Sequence, residues 1–125
     1  MKSTLLALGF SLLPAAALAQ PPATGMTHTF ADPVFQGTVF CDTYFQVLAI
    51  ATADDPQQVY VSFATKRNQL NEPVCAAITP TGVVVDVRPL GVMERDNRRF
   101  NAWSVEADVG GVTGFALYLE EETLA

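Results

Sequence analysis

Polar and apolar residues alternate along much of the second half of the chain, which is the pattern of β-strands. The clearest alternation covers 100–109, where we expect the face that carries Trp103 and Val105 to point inward. A second alternation covers 115–119, and β-branched valines over 83–87 also favour a strand. We therefore predict antiparallel strands throughout this half.

Short turns separate these predicted strands. Asp96 and Asn97 form a two-residue turn signal, and Gly110 with Gly111 forms another. The segment 79–82 reads Thr-Pro-Thr-Gly, which is typical of a type I turn. The turn at Asp96 and Asn97 predicts three cross-strand pairs: Arg95 with Arg98, Glu94 with Arg99, and Met93 with Phe100.

Two segments before these strands fit both a helix and a strand. Residues 43–53 have apolar positions at helical spacing, and Thr43 with Gln46 matches a capping box. Asp55, followed by a proline, is a good helix start for the next segment. Strand-prone residues in both segments leave a β-hairpin over 43–70 open, but the specific caps favour two short helices.

The chain has two cysteines, Cys41 and Cys75, so each has one possible partner. In an exported chain we expect them to form a structural disulfide. They lack the C-x-x-C spacing and the neighbouring cations of a redox pair. The predicted fold class is α+β: two short helices in the disulfide-closed loop, packed on an antiparallel sheet of about four strands. The alternative is an all-β sandwich or barrel.

The first residues have the parts of an export signal. Lys2 gives a basic start, 5–13 form a short apolar core, and 17–19 read Ala-Leu-Ala. The apolar run is shorter than the roughly 20 residues that span a bilayer, so we predict cleavage and no membrane anchor in the mature form. The predicted organisation is a signal peptide (1–19), a flexible leader (20–33) and a single globular domain (34–125). The expected location is the periplasm or the medium of a bacterium.

The charge of the chain limits its partners. Its formal net charge is −6, and loss of Lys2 with the signal makes it −7. An acidic chain cannot neutralise phosphates as nucleic-acid binding requires, so we predict no nucleic-acid partner. Attraction to an anionic membrane surface is disfavoured for the same reason.

The opening of the disulfide loop resembles that of small exported bacterial proteins of unassigned function. The resemblance consists of Cys41-Asp42-Thr43, then Gln46-Val47, then a second cysteine at the end of a long loop, and it covers the first half of the mature chain. It implies that a helix begins after the first cysteine and a strand at the second. It implies no activity and no site residues.

No arrangement of residue types indicates catalysis. A nucleophile needs a base within reach, and the only histidine, His28, lies in the predicted leader, where we expect it to be solvent-exposed. Asp54 and Asp55 are interpreted as cap or turn residues, and Gly110-Gly111 as a turn rather than a phosphate loop. We predict no enzymatic activity, no cofactor and no metal site.

One basic cluster is the candidate binding feature: Arg95, Arg98 and Arg99 at the tip of the predicted hairpin. It could hold an anionic partner, although neighbouring acidic residues can also neutralise it. Size, disulfide and lack of catalytic residues together favour a non-enzymatic binding or interaction module for a protein or another envelope component. The alternatives are a small-molecule carrier and an enzyme with an unrecognised site.

Overall fold

The computed structural model of the protein describes residues 21–31 and 37–122. The predicted signal peptide over 1–19 lies outside these residues, as does part of the predicted leader. The described residues form two helices and six strands. In chain order they are β1 (Thr27–Thr29), β2 (Thr38–Cys41), α1 (Tyr44–Ala51), α2 (Pro56–Ala64), β3 (Cys75–Ile78), β4 (Thr81–Arg95), β5 (Arg98–Val109) and β6 (Val112–Glu121).

All six strands belong to one antiparallel sheet, in the order β1-β4-β5-β6-β2-β3. The α+β fold class is confirmed, but the expected number of about four strands was wrong. The four strands after Val74 were predicted, whereas β1 and β2 were missed. These two strands have three and four residues, too few for an alternation to stand out. β1 lies inside the segment for which we expected a flexible leader.

Both predicted helices are present. At the start of α1, Thr43 Oγ1 accepts from the Gln46 N–H at 3.3 Å, and Gln46 Oε1 accepts from the Thr43 N–H at 3.0 Å. At the start of α2, the Asp55 carboxylate accepts from the Gln58 N–H at 3.2 Å. These caps satisfy backbone donors that a helix start leaves unpaired, which explains why helices form here despite strand-prone residues. Within the described residues, no helix is long and apolar enough to cross a membrane.

The two predicted hairpin turns are also confirmed. Asp96 and Asn97 have φ values of 53° and 63°, and the strands around them have the predicted register. Gly110 and Gly111 form the second turn, with φ values of 59° and 89°. The type I turn predicted over 79–82 was wrong, because the last two of these residues already belong to β4.

The short link between β3 and β4 requires the sheet to curl. Only Thr79 and Pro80 join the two strands, so the Cα atoms of Ile78 and Thr81 lie within about 11 Å. In a flat sheet of this order, four strand spacings would separate them by about 19 Å. The sheet therefore bends into a half-barrel, and the barrel alternative was partly right.

The sheet buries apolar residues on both faces. On the first, called the helix face, the core comprises Cys41, Val47, Ile50, Ala51, Cys75, Met93, Phe100, Ala102, Leu117 and Leu119. On the second, called the concave face, it comprises Phe30, Val84, Val105, Ala107 and Ala116. Trp103 and Val105 point to the same core, as expected, but the opposite side of β5 is buried too. α1 packs on β2, β4, β5 and β6, and α2 on α1 and β3.

The disulfide between Cys41 and Cys75 is present and joins β2 to β3. The two residues lie directly opposite each other in the strand pairing, with a Cα–Cα distance of 4.1 Å. The Asp42 N–H donates to the Val74 carbonyl at 2.9 Å beside this pair, so the cysteines occupy a non-hydrogen-bonded position of the ladder. The bond therefore closes the loop that contains both helices.

Candidate functional site

A cavity of about 320 Å³ lies between the start of α2 and the helix face, and we call it the helix–sheet cleft. Its floor is apolar and is formed by Val39, Ile50, Met93 and Leu117. Pro56 and Tyr60 of α2 form one wall. The cleft therefore offers an apolar surface that the helices do not fill.

Local structure fixes both sides of the cleft. The sheet side is held where β2 meets β6, because the buried Thr38 hydroxyl donates to the Leu117 carbonyl at 2.7 Å. The α2 side is held by its cap at Asp55 and by Pro56, whose ring restricts φ in the first turn. Both sides are thus built on regular elements, which position a site more precisely than loops do.

Two charged side chains line the cleft, Asp55 and Arg95. The Asp55 carboxylate accepts a hydrogen bond at the start of α2, and the Arg95 side chain makes contacts of its own. Arg95 lies two residues after Met93 on β4, so both side chains point to the helix face. Its Nη2 atom is buried, and charge interactions are stronger in such a setting than in water.

The structure separates the three arginines that the sequence placed together. Arg95 lines the cleft, whereas the Arg98 guanidinium donates two hydrogen bonds to the Glu121 carboxylate. Arg99 points to the other face and pairs with Glu94 and Glu122, each at 3.1 Å. Pairing of Arg99 with Glu94 was expected, but the pairing of Arg98 with Glu121 of β6 and of Arg99 with Glu122, directly after β6, was not. The role of the three side chains in binding stays a prediction.

The pKa values of two adjacent glutamates of β6, Glu120 and Glu121, are shifted in opposite directions. The hydrogen bond from Arg98 holds the pKa of Glu121 below its ordinary value. Burial raises the pKa of Glu120, although the nearby Tyr118 hydroxyl opposes this by favouring the carboxylate. Burial also raises the pKa of Tyr118, and the charge of Glu120 adds to the effect.

The aromatic side chains of the concave face lie away from the cleft. Trp103 and Tyr118 have ring centroids 6.2 Å apart. His28 is only partly exposed, not fully solvent-exposed as expected, and its ring lies 4.7 Å from Phe30 and 5.9 Å from Tyr118. Because β4 and β5 separate β1 from β6 in the sheet, the contact with Tyr118 shows how strongly the sheet curls. These rings pack with one another.

The lining of the cleft combines apolar side chains with Asp55 and Arg95. Across residues 21–31 and 37–122, no group of three or more His, Cys, Asp or Glu side chains is placed to hold a metal ion. Both cysteines are in the disulfide. Apolar side chains and one guanidinium thus line the same cavity.

Sequence reasoning found Arg95 but missed the residues that form the floor of the cleft. The floor brings together β2, β4, β6 and α1, and no local pattern predicted β2 or the order of the strands. Comparison with known proteins returned no match: no family model matches the chain, and no curated protein or solved structure is significantly similar to it.

Proposed function

We propose that the protein is an exported, non-enzymatic binding module whose helix–sheet cleft holds an apolar group of another envelope protein. The observation that carries this proposal is the cleft itself, an apolar cavity of about 320 Å³ with a charged residue at its mouth. Pockets that bind small groups are concave and mostly apolar, with a few polar groups that fix orientation.

Two further observations support the proposal. The disulfide closes the loop that carries both helices, and such bonds persist in oxidising compartments outside the cytoplasm. The N-terminal sequence has the parts of an export signal, and the resemblance to small exported bacterial proteins agrees with it. The expected partner is therefore an envelope component.

The first test is site-specific photo-crosslinking in intact bacterial cells that express the full chain. A photoreactive residue in place of Gln57, at the mouth of the cleft, should give a crosslinked product of defined size with one envelope protein. The matched control is the same residue at Gln69, which is exposed in the loop after α2. Equal products from both positions, or no product from either, would contradict the proposal.

A small-molecule carrier is the other outcome of this test. The volume of the cleft lies at the lower end of the range of ligand pockets, about 300 to 1,000 Å³, so a small ligand could enter. Native mass spectrometry of the purified protein separates the two functions. A bound small molecule that leaves on replacement of Val39 by tryptophan would favour the carrier.

A further inference from the structure

The strand β3 lies at the end of the sheet and has a neighbour, β2, on one side only. In the ladder between them, Cys75 faces Cys41 and Ala77 faces Val39. Hydrogen-bonded and non-hydrogen-bonded pairs alternate along such a ladder, and the cysteine pair is non-hydrogen-bonded, so the pair of Ala77 with Val39 is of the same kind. The N–H and C=O groups of Ala77 therefore point away from β2. Within the described part of the chain they have no hydrogen-bond partner.

The edge of β4 offers a contrast with that of β3. β4 extends well past its outer neighbour β1, which pairs only with 81–83. Its remaining length has features that oppose the addition of another strand: two shifts of register, Pro89 without an N–H donor, and the charged side chains of Asp86 and Arg88. The strand Cys75–Ile78 has no register shift, no proline and no charged residue. The edge of β3 is therefore open to a further strand, provided that this strand is short.

We propose that the outer edge of β3 receives a short extended segment of the partner protein as an additional strand, with one apolar side chain of that segment at the mouth of the helix–sheet cleft. The inference rests on the proposed binding function and names the way in which the partner is held. The free N–H and C=O groups of an edge strand are matched by those of another extended main chain. Main-chain hydrogen bonds then give affinity, and pockets for alternate side chains give specificity.

The surroundings of Ala77 define the side chain that the segment needs. Val39 packs against the core of the helix face, so Ala77 and any residue paired with it have their side chains on that face as well. The side chain of the partner residue enters the cleft beside the exposed Ala77 and faces the partly exposed Pro56 and Tyr60 of α2. Its two neighbours in the segment point to the opposite face, next to Ile78, which is 42% exposed. Consecutive apolar residues therefore suit the centre of the segment.

The length of β3 favours a short segment over a second copy of this chain. Its four residues extend about 13 Å. A stable interface between folded proteins buries about 1,200 to 2,000 Å² in total, which is more than one short strand edge provides. The small side chains of Ala76 and Ala77 also allow another main chain to approach closely. A segment of a few residues thus matches the edge in length and in chemistry.

Amide hydrogen exchange of the free protein tests whether the edge is open. Ala76 forms a hydrogen-bonded pair with Phe40, so its N–H should be protected. The Ala77 N–H should exchange at least about tenfold faster, because it points away from β2. Equal protection of the two amides would show that the edge is already covered, and the proposal would be wrong.

Two substitutions at one position test strand addition in cells. Ala77→Pro removes the outward N–H and leaves the ladder with β2 intact. Ala77→Ser is the matched control, because it keeps this N–H and a small side chain. Ala77→Pro should lower the yield of the Gln57 crosslink by about tenfold, whereas Ala77→Ser should leave it nearly unchanged. Urea unfolding of both variants checks that the fold is retained.

A probe peptide tests the same edge in the native protein. The peptide is acetyl-Thr-Val-Leu-Val-Thr-Lys-amide, whose leucine is meant to pair with Ala77. It should shift the NMR signals of the Ala76 and Ala77 amides and not that of Thr113. In an extended chain, successive N–H groups point to opposite edges, so N-methylation of the leucine should weaken binding by at least about tenfold and N-methylation of the following valine should not. Equal binding of the two methylated peptides, or no binding of the parent peptide at millimolar concentration, would overturn the proposal.

The outcomes distinguish this inference from the proposed function. A Gln57 crosslink that persists at full yield in Ala77→Pro would uphold the binding module and refute strand addition. Absence of the crosslink in the native protein, together with selective binding of the parent peptide, would uphold the open edge and refute an envelope protein as the partner. Sedimentation of the purified protein covers the remaining occupant. A dimer that Ala77→Pro dissociates would show that a second copy fills the edge, and recognition of a partner segment would be wrong.

Discussion

The apolar side chains on the two faces of the sheet are covered in different ways. The helix face is covered by a second layer, α1 and α2, which the disulfide closes into one loop with β2 and β3. The concave face is covered by the sheet itself, whose curl brings His28 of β1 against Tyr118 of β6. A layer of separate helices leaves a gap at its margin, and this gap is the cleft. On the concave face, the curled sheet encloses its own side chains, so the aromatic rings there contact one another.

This difference explains why the cleft lies on the helix face. On the concave face, the Phe40 ring lies so close to Gly114 that a Cβ atom there would overlap it. On the helix face, the start of α2 stands away from β2 and β6, and a cavity of about 320 Å³ lies between them. Binding surface is therefore expected where two layers meet.

The largest expected effect compares two buried phenylalanines, one from each face. Phe100 and Phe30 are 0% and 1% exposed. Phe100→Ala should lower the free energy of unfolding by about 3 to 5 kcal/mol, because the central strand β5 cannot move to fill the cavity. Phe30 directly follows the three-residue edge strand β1, which can detach by itself, so Phe30→Ala should cost less.

Urea unfolding and hydrogen exchange check this prediction together. In Phe30→Ala, the amides of β1 should lose protection while those of β5 keep it. In Phe100→Ala, protection should fall throughout the sheet. Equal costs with the same exchange pattern would mean that the two faces form one cooperative core, and the distinction between them would be wrong.

The next prediction concerns the bond that ties the helix layer together. Replacing Cys41 and Cys75 together by alanine should lower the free energy of unfolding by about 2 to 5 kcal/mol, since the unfolded chain regains the entropy of an open loop. Either single replacement should be at least as harmful, because the remaining thiol can cross-link chains. Reductant should reproduce the loss in the native protein and have no effect on the double variant. An unfolding midpoint that stays constant on reduction would refute the structural role.

Local signals in the sequence predicted local structure well. The capping box at Thr43, the cap at Asp55 and the turn at Asp96 and Asn97 each depend on contacts within a few residues, and each is present. The disulfide followed from there being two cysteines. The register of the long hairpin followed from its turn.

The features that the sequence did not predict depend on pairings between strands that are far apart in the chain. β2 is placed between β6 and β3 by the order of the sheet, and no local pattern specifies this order. The curl follows from the two-residue link between β3 and β4. This link requires a curl only because the two strands are not neighbours in the sheet, and the sequence does not show the strand order. The three arginines at the hairpin tip are close in sequence, but strand alternation and ion pairs place their side chains in different surroundings. The cleft was missed because its floor combines four elements.

The smallest expected effect compares the adjacent glutamates of β6. Glu121 shares the side of Leu117 and Leu119, whereas Glu120 shares that of Tyr118. The pKa of Glu121 is lowered in the folded state by Arg98, so its stabilising contribution is present above the ordinary value of about 4.3 and is lost as the pH falls. The pKa of Glu120 is raised by burial, so stability decreases as the pH rises through the range just above that value.

Glutamine replacements should therefore have opposite effects at neutral pH. Glu120→Gln removes a carboxylate that burial disfavours and should raise the urea midpoint, whereas Glu121→Gln removes the partner of Arg98 and should lower it slightly. Both differences from the native protein should vanish at acidic pH, where the carboxyl groups are protonated in the folded and unfolded states alike. Added salt should reduce the effect of Glu121→Gln, because an exposed ion pair is screened, and leave that of Glu120→Gln largely unchanged. Effects of the same sign for both replacements would show that the two faces do not impose different environments on neighbouring residues of β6.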